Sequence, residues 1–297
     1  MRYDAIIIGG SFAGLACALY LARARRTVCV VDAGLPRNRF SAHGHGFLTQ
    51  DGSSPADILR VAREQVAAYP SATFVAGRAV AAEGASDNFR VMLDSGEGLE
   101  GRRLVLAFGI SDDLPPVPGL AERWGQSVLH CPYCHGYEFA DRSLGVLYCY
   151  PLSLHQAMLV AEWGPATLFL NGNGVEDAEA LAELARRGVT VEAGPVRALH
   201  GQGAALASVE LADGRHVPIQ ALYVGPRTRL NSEIAAMLGC QLEDGMMGPI
   251  LTTDAMKQTS IAGVVAAGDI TRSAHSMTWS ASDGVMAAMA VHRSLVF

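Results

Sequence analysis

Short apolar runs rich in β-branched residues recur along the chain, at 5–8, 27–31, 104–107 and, far downstream, 264–267. Runs of this length without polar alternation read as strands buried on both faces. Between the first two runs lies an Ala/Leu-rich stretch that keeps helical spacing to about residue 25. Residues 5–32 therefore read as strand, glycine turn, helix and strand. Residues 55–68 form an amphipathic helical pattern, and 73–94 read as short strands joined by turns. Beyond them, 144–147, 166–170 and 189–192 are strand-like, with helices near 153–162 and 176–187. Residues 279–295 close the chain as a helix. Strands alternating with helices predict an α/β protein with parallel sheets. The segment 112–119, DDLPPVPG, carries three prolines in eight positions and reads as an extended linker at a domain boundary.

Composition narrows the function. A chain of 297 residues suggests two domains, at a norm of about 150 residues each. The net charge of −6 argues against nucleic acid as a main partner, because phosphate binding needs a concentrated basic surface. No apolar stretch reaches the roughly 18 residues that would mark a membrane span. The opening MRYDAIIIGG reads as a strand entering a turn rather than an export signal, so a cytoplasmic location is expected. Lys257 is the one lysine among 23 basic residues, which reads as compositional bias.

The first glycine turn has a definite physics. In a G-x-G-x-x-G turn the first glycine makes the bend, the second admits a pyrophosphate and the third packs helix against strand. Here those positions are Gly9, Ser11 and Gly14, so a serine replaces the middle glycine. Asp32 ends the second strand, 18 residues past Gly14, where a carboxylate accepts from a ribose hydroxyl. A dinucleotide is expected at this turn.

Six cysteines in a reducing compartment do not make a disulfide framework. Cys17, Cys29, Cys149 and Cys240 sit alone in apolar surroundings and read as small hydrophobes. Cys131 and Cys134 differ, being spaced C-x-x-C in CPYCH. Haem attachment would require export, and a zinc site would require two further ligands at a recognisable spacing. No metal is therefore expected. Two inert thiols are the bland alternative. A redox pair is the better reading, in which one thiolate attacks a disulfide and the other resolves it or passes electrons onward. His135 follows directly and can carry a proton near neutral pH.

Taken together, IIIGGSFAG, LAFG at 106–109, CPYCHG at 131–136 and the tail GPILTTD…TSIAGVVAAGDI resemble the low-molecular-weight thioredoxin reductases over nearly the whole chain. The resemblance implies two Rossmann-like, three-layer nucleotide-binding domains, the FAD domain being discontinuous. FAD would occupy 1–114 and 246–297, and an inserted NADPH-type domain carrying the C-x-x-C would span 115–245. A homodimer is implied as well, acting on a thioredoxin-like protein or a small disulfide or dithiol. Carried over by position, Gly9, Ser11, Phe12, Ala13 and Gly14 would cover the FAD diphosphate and Asp32 the adenosine ribose. Ala107, Phe108 and Gly109 would lie beside the dinucleotide, and Gly268 and Asp269 at the diphosphate and ribitol. His275, Ser276 and Met277 would lie near the isoalloxazine. His45, Gln50 and Asp51, within HGHGFLTQD, would form a further flavin wall. Cys134 would relay electrons and Cys131 would exchange with substrate.

Departures from the pattern bear on the donor. After the strand at 144–147 the family's second glycine turn is replaced by Tyr148-Cys149-Tyr150-Pro151, and the cationic cluster for a 2′-phosphate is replaced by Leu170-Asn171-Gly172-Asn173. Arg186 and Arg187 lie farther on and read as a solvated helix face. NADPH dependence is accordingly in doubt. The tyrosines either fill a vacated pocket or stack on another flat ligand. His135 replaces the family's aspartate, as in a branch of flavin-dependent dithiol oxidases that use oxygen, so direction stays open. A flavin-binding redox sensor without turnover is the remaining alternative.

Overall fold

The computed structural model describes residues 2–297. The chain divides into two compact units: residues up to Arg39 with Pro55–Ser111 and Thr228–Phe297, and Phe40–Ser54 with Asp112–Arg227.

The first unit is built on a seven-stranded sheet in the order Ala72–Ala76, Val28–Asp32, Arg2–Ile8, Gly98–Leu106, Asn88–Leu93, Ala79–Ala85, with Val264–Ala266 also on Gly98–Leu106. Its centre is parallel and its hairpin edge antiparallel. The unbroken apolar runs are explained by burial on both sides. Ile6, Ile8, Cys29, Val31, Leu104 and Leu106 enter one core. The alternate residues Ala5, Ile7, Val28, Val30 and Val105 enter the other. That second core is closed by the helices Phe12–Arg23 and Met277–Val296. A methyl group on Gly284 would overlap the Ala13 carbonyl oxygen, so this glycine permits their close approach.

The second unit holds a five-stranded parallel sheet in the order Thr190–Glu192, Ala166–Phe169, Leu144–Leu147, Ala221–Val224, Val128–Leu129. Helices Leu152–Val160 and Ala178–Arg186 follow the strands that begin at Leu144 and Ala166. A three-stranded antiparallel sheet, Val196–Gln202, Ala205–Leu211 and His216–Pro218, adds a layer that the sequence pattern left unread. Each unit thus has the Rossmann-type arrangement of a parallel sheet and helices.

Two boundaries differ from the expected ones. The first unit resumes at Thr228 rather than 246, because Ile234, Ala235 and Cys240 are buried in its core. Residues 40–54 leave the first unit and fold with the second. Among the described residues no helix is long and apolar enough to cross a membrane.

Candidate functional site

In the first unit the sequence-predicted residues gather at the carboxyl ends of adjacent parallel strands. Strands Val28–Asp32 and Gly98–Leu106 flank Arg2–Ile8 on opposite sides. That is a topological switch point, where α/β sheets open a crevice. Gly9 bends the chain at φ +115°, and a side chain there would overlap the Ala107 carbonyl oxygen. Gly14 lies so close to Gly9 that a methyl group would overlap its carbonyl oxygen. The two glycines therefore bring strand, helix and the 107–109 turn into backbone contact. Ser11 caps Phe12–Arg23 in extended conformation, and its hydroxyl makes no cap bond. The first intrahelical bond runs from the Leu15 N–H to the Ser11 carbonyl, which leaves the N–H groups of Ala13 and Gly14 without a partner in the helix, a natural anion site.

The remaining members of this cluster are held in place. The Asp32 carboxylate accepts from the Gly34 N–H at 3.0 Å and from the Arg63 guanidinium at 3.1 Å. Gly268, two residues past strand Val264–Ala266, turns the chain at φ +84°. Asp269 accepts from the Ser280 hydroxyl at 2.9 Å and faces Arg37 at 3.3 Å. Asn231 donates to the Phe108 carbonyl at 3.2 Å and accepts from the Ser111 hydroxyl at 2.6 Å, bracing the 107–109 turn. Ser276 caps the last helix by accepting from the Trp279 N–H, Asn38 donates to the Met277 sulfur at 3.7 Å, and a His275 ring nitrogen lies 3.0 Å from the Arg272 carbonyl.

Lys257 is not compositional residue alone. Its ammonium lies 2.9 Å from buried Asp283, which also accepts from Arg272 at 3.0 Å. Thr271, on the turn after Gly268, bonds both the Gly268 carbonyl and Asp283. Arg37, Asn231, Lys257 and Asp283 were missed by sequence reasoning; the solitary lysine was the one hint.

The second unit carries the cysteines. Strand Val128–Leu129 leads to Cys131, which caps the single turn Pro132–His135 with proline in its first position. The two sulfurs lie 2.7 Å apart, near enough for a disulfide with little movement. The turn seats against Trp163, since a side chain on Gly136 would come within 2.7 Å of its ring. Tyr133 meets the same indole edge-on and is largely exposed, as is Tyr137.

Here the placement of the 40–54 segment matters. His45, Gln50 and Asp51 belong to this unit, not to the one holding the glycine turn. His45 directs one ring nitrogen at Glu138, 3.4 Å away, and the other at Asp51, 3.6 Å away. Asp51 also accepts from the Gly46 N–H at 2.8 Å, and the Gln50 N–H bonds the Phe47 carbonyl to tighten the loop. The His45 ring stands edge-on to His135, centroids 6.1 Å apart. Burial lowers the His135 pKa below the ordinary histidine value; Glu138 opposes this and His45 reinforces it. Tyr223, fully buried in register with Leu129 on the neighbouring strand, has a hydroxyl with no hydrogen-bond partner among the described residues. Burial raises its pKa, and the charges of Cys131, Glu138 and Cys134 raise it further. Glu138 and Tyr223 carried no signal in the sequence.

The counterpart turn of this unit follows strand Leu144–Leu147. Tyr150 lies under the Arg227 guanidinium at 4.7 Å, and its hydroxyl is buried against Gly225 with no partner among the described residues. Tyr148 instead borders a cavity of about 610 Å³ lined also by Pro151, His155, Met158, Glu176 and Asp177. That lining holds two carboxylates and no lysine or arginine. Arg186 and Arg187 pair with Glu183 on an exposed helix face.

Residues 3–150 match the pyridine nucleotide-disulphide oxidoreductase family model. A thioredoxin reductase of Leptosphaeria maculans is 31% identical over 98% of this chain and 93% of its own length. One from Claviceps purpurea is 33% identical over 90% and 86%. Among solved structures, an oxidoreductase from Agrobacterium tumefaciens superposes with a TM-score of 0.96 at 45% identity, covering 100% of this chain and 99% of that one. HlmI superposes at 0.93 with 40% identity over 99% and 93%.

Proposed function

The chain belongs to the pyridine nucleotide-disulphide oxidoreductase family, among its thioredoxin reductase-like members, and from that premise we propose that it is an FAD-dependent thiol–disulfide oxidoreductase working through Cys131 and Cys134. The observation that carries the reading is the pair of sulfurs 2.7 Å apart with His135 next in the chain.

The first-unit cluster fits a dinucleotide, because the helix that begins at Phe12 presents the N–H groups of Ala13 and Gly14, which have no partner within the helix, at a turn that Gly9 and Gly14 hold tight. Gly9, Ser11, Phe12, Ala13 and Gly14 would hold the FAD diphosphate, Asp32 the adenosine ribose, and Gly268 with Asp269 the ribitol end. Ala107 to Gly109 and His275 to Met277 would border it. FAD, when bound, supplies a two-electron carrier for the dithiol.

The steps at the cysteines balance without further groups. A Cys131 thiolate attacks a substrate disulfide, forming a mixed disulfide and releasing one substrate thiolate. That thiolate takes a proton from protonated His135. The neutral imidazole then takes the Cys134 proton, Cys134 attacks the Cys131 sulfur to close the protein disulfide, and the second substrate thiolate released takes that proton back, so two electrons reach the substrate. Exposed Tyr133 and Tyr137 beside the pair offer an apolar landing surface for a thioredoxin-like protein or a small disulfide. By family resemblance the working assembly is a homodimer.

NADPH does not suit the cavity beside the counterpart turn, whose lining has Tyr148 and two carboxylates and no lysine or arginine, while the Arg227 guanidinium is stacked on Tyr150. The electron partner is then another carrier, or the reaction runs from dithiol to disulfide. The lowered pKa of His135 favours this second reading, since a neutral imidazole accepts a thiol proton. The test is an anaerobic titration of the purified flavoprotein. Bleaching of the flavin band by a dithiol but not by NADPH or NADH is expected. Stoichiometric bleaching by NADPH would restore the ordinary reductase, and no response to any thiol would leave a sensor without turnover.

A further inference from the structure

On the solvent face of the three-stranded sheet, an unassigned cluster brings three metal-ligating side chains together. His200 pairs across strands with Ser208, and Glu210 pairs with His216. Because side chains alternate along a strand, Ser208 and Glu210 share a face, and both histidines lie on it. The intervening register row, Leu199, Val209 and Val217, packs into the core on the other side. The imidazoles are exposed, with ring centroids 5.1 Å apart, and Glu210 is half-buried between them. Each residue offers one ligand atom, and these atoms all lie within 4.8 Å of one another.

We propose that His200, Glu210 and His216 form a surface site for a borderline divalent cation of the zinc class, with a coordination position left open to water. Two imidazoles and a carboxylate are the donor set such a cation takes, and three protein ligands plus water complete a tetrahedron. The support around the ligands is already present. Ser208 Oγ lies 3.3 Å from His216 Nδ1, the kind of outer contact that fixes an imidazole's orientation in metal sites. His200 Nε2 lies 2.6 Å from one Glu210 oxygen. On binding, the cation takes the place of that contact. Arg197 holds the other Glu210 oxygen at 3.1 Å and competes with the cation for the carboxylate. No spacing motif announces this site, because its ligands come from three strands rather than one.

Isothermal titration of the full chain with Zn²⁺, and of Co²⁺ by its visible absorption, tests the proposal. One equivalent is expected, with affinity falling by about 100-fold or more in His200→Ala and in His216→Ala. Cys131→Ser/Cys134→Ser should leave this equivalent in place, which separates it from binding by thiols. Arg197→Ala should tighten binding, whereas a purely ionic cross-strand cluster would only loosen. An equivalent that survives both histidine variants, or vanishes with the cysteines, overturns the proposal. So does the absence of binding below millimolar Zn²⁺.

Discussion

The two strand-to-helix turns of this protein occupy the same place in their respective folds and have opposite character. After Arg2–Ile8 the turn is small: Gly9 and Gly14 leave no room for any side chain, and the helix that follows offers N–H groups at its start. After Leu144–Leu147 the turn is large, with Tyr150 packed on Gly225 beneath Arg227 and Tyr148 facing a cavity that carries Glu176 and Asp177. Both units keep their parallel sheets. Fold and turn are thus separable: strands persist because their apolar runs are buried on both faces, whereas the residues at their carboxyl ends differ in bulk and charge. The second unit instead brings Cys131, Cys134 and His135 together, with Glu138 and His45 around the imidazole.

The largest test of this contrast is Gly14→Ala. Its methyl group would meet the Gly9 carbonyl oxygen, backbone that cannot swing aside. A loss of about 3 kcal/mol in stability is expected, with release of flavin, read by thermal unfolding and by absorbance retained after desalting. A fully flavinated, unshifted variant would show that the first turn is not the binding cradle.

His135→Ala should keep flavin yet slow dithiol-driven bleaching by about 10²–10⁴-fold, the range for a positioned acid or base. Stopped-flow traces unchanged between pH 6 and 9 would make the imidazole a bystander.

Smaller effects sharpen the second turn. Glu176→Lys/Asp177→Lys removes like charges from the cavity and should improve NADPH affinity by about tenfold at low ionic strength, fading as salt is added. Affinity unmoved by charge would place the obstruction in the tyrosines alone.

The smallest expected effect is a displacement of the pH profile. The Glu138 carboxylate raises the His135 pKa and the His45 ring lowers it. A base works once deprotonated, so the rate climbs as pH rises through that pKa. Glu138→Gln should move the climb to lower pH, and His45→Ala to higher pH. Parallel movement of both variants would contradict this arrangement.

What the sequence by itself determined was local. Period and burial made 5–8, 27–31 and 104–107 into strands. The Gly9 to Gly14 turn was legible because its constraint is steric and acts within six positions. The Cys131–Cys134 spacing was likewise legible, since one helical turn brings those sulfurs together. Tertiary structure alone decided the rest. It moved 40–54 into the unit of the cysteines and so set His45 beside His135 and Glu138, residues some 90 positions away. It buried Lys257 against Asp283 and returned 228–245 to the first unit, through the core contacts of Ile234 and Ala235. It also aligned His200, Glu210 and His216 by strand register. The physical reason is common to these cases: periodicity reports which face of an element is buried, but not which distant element covers it.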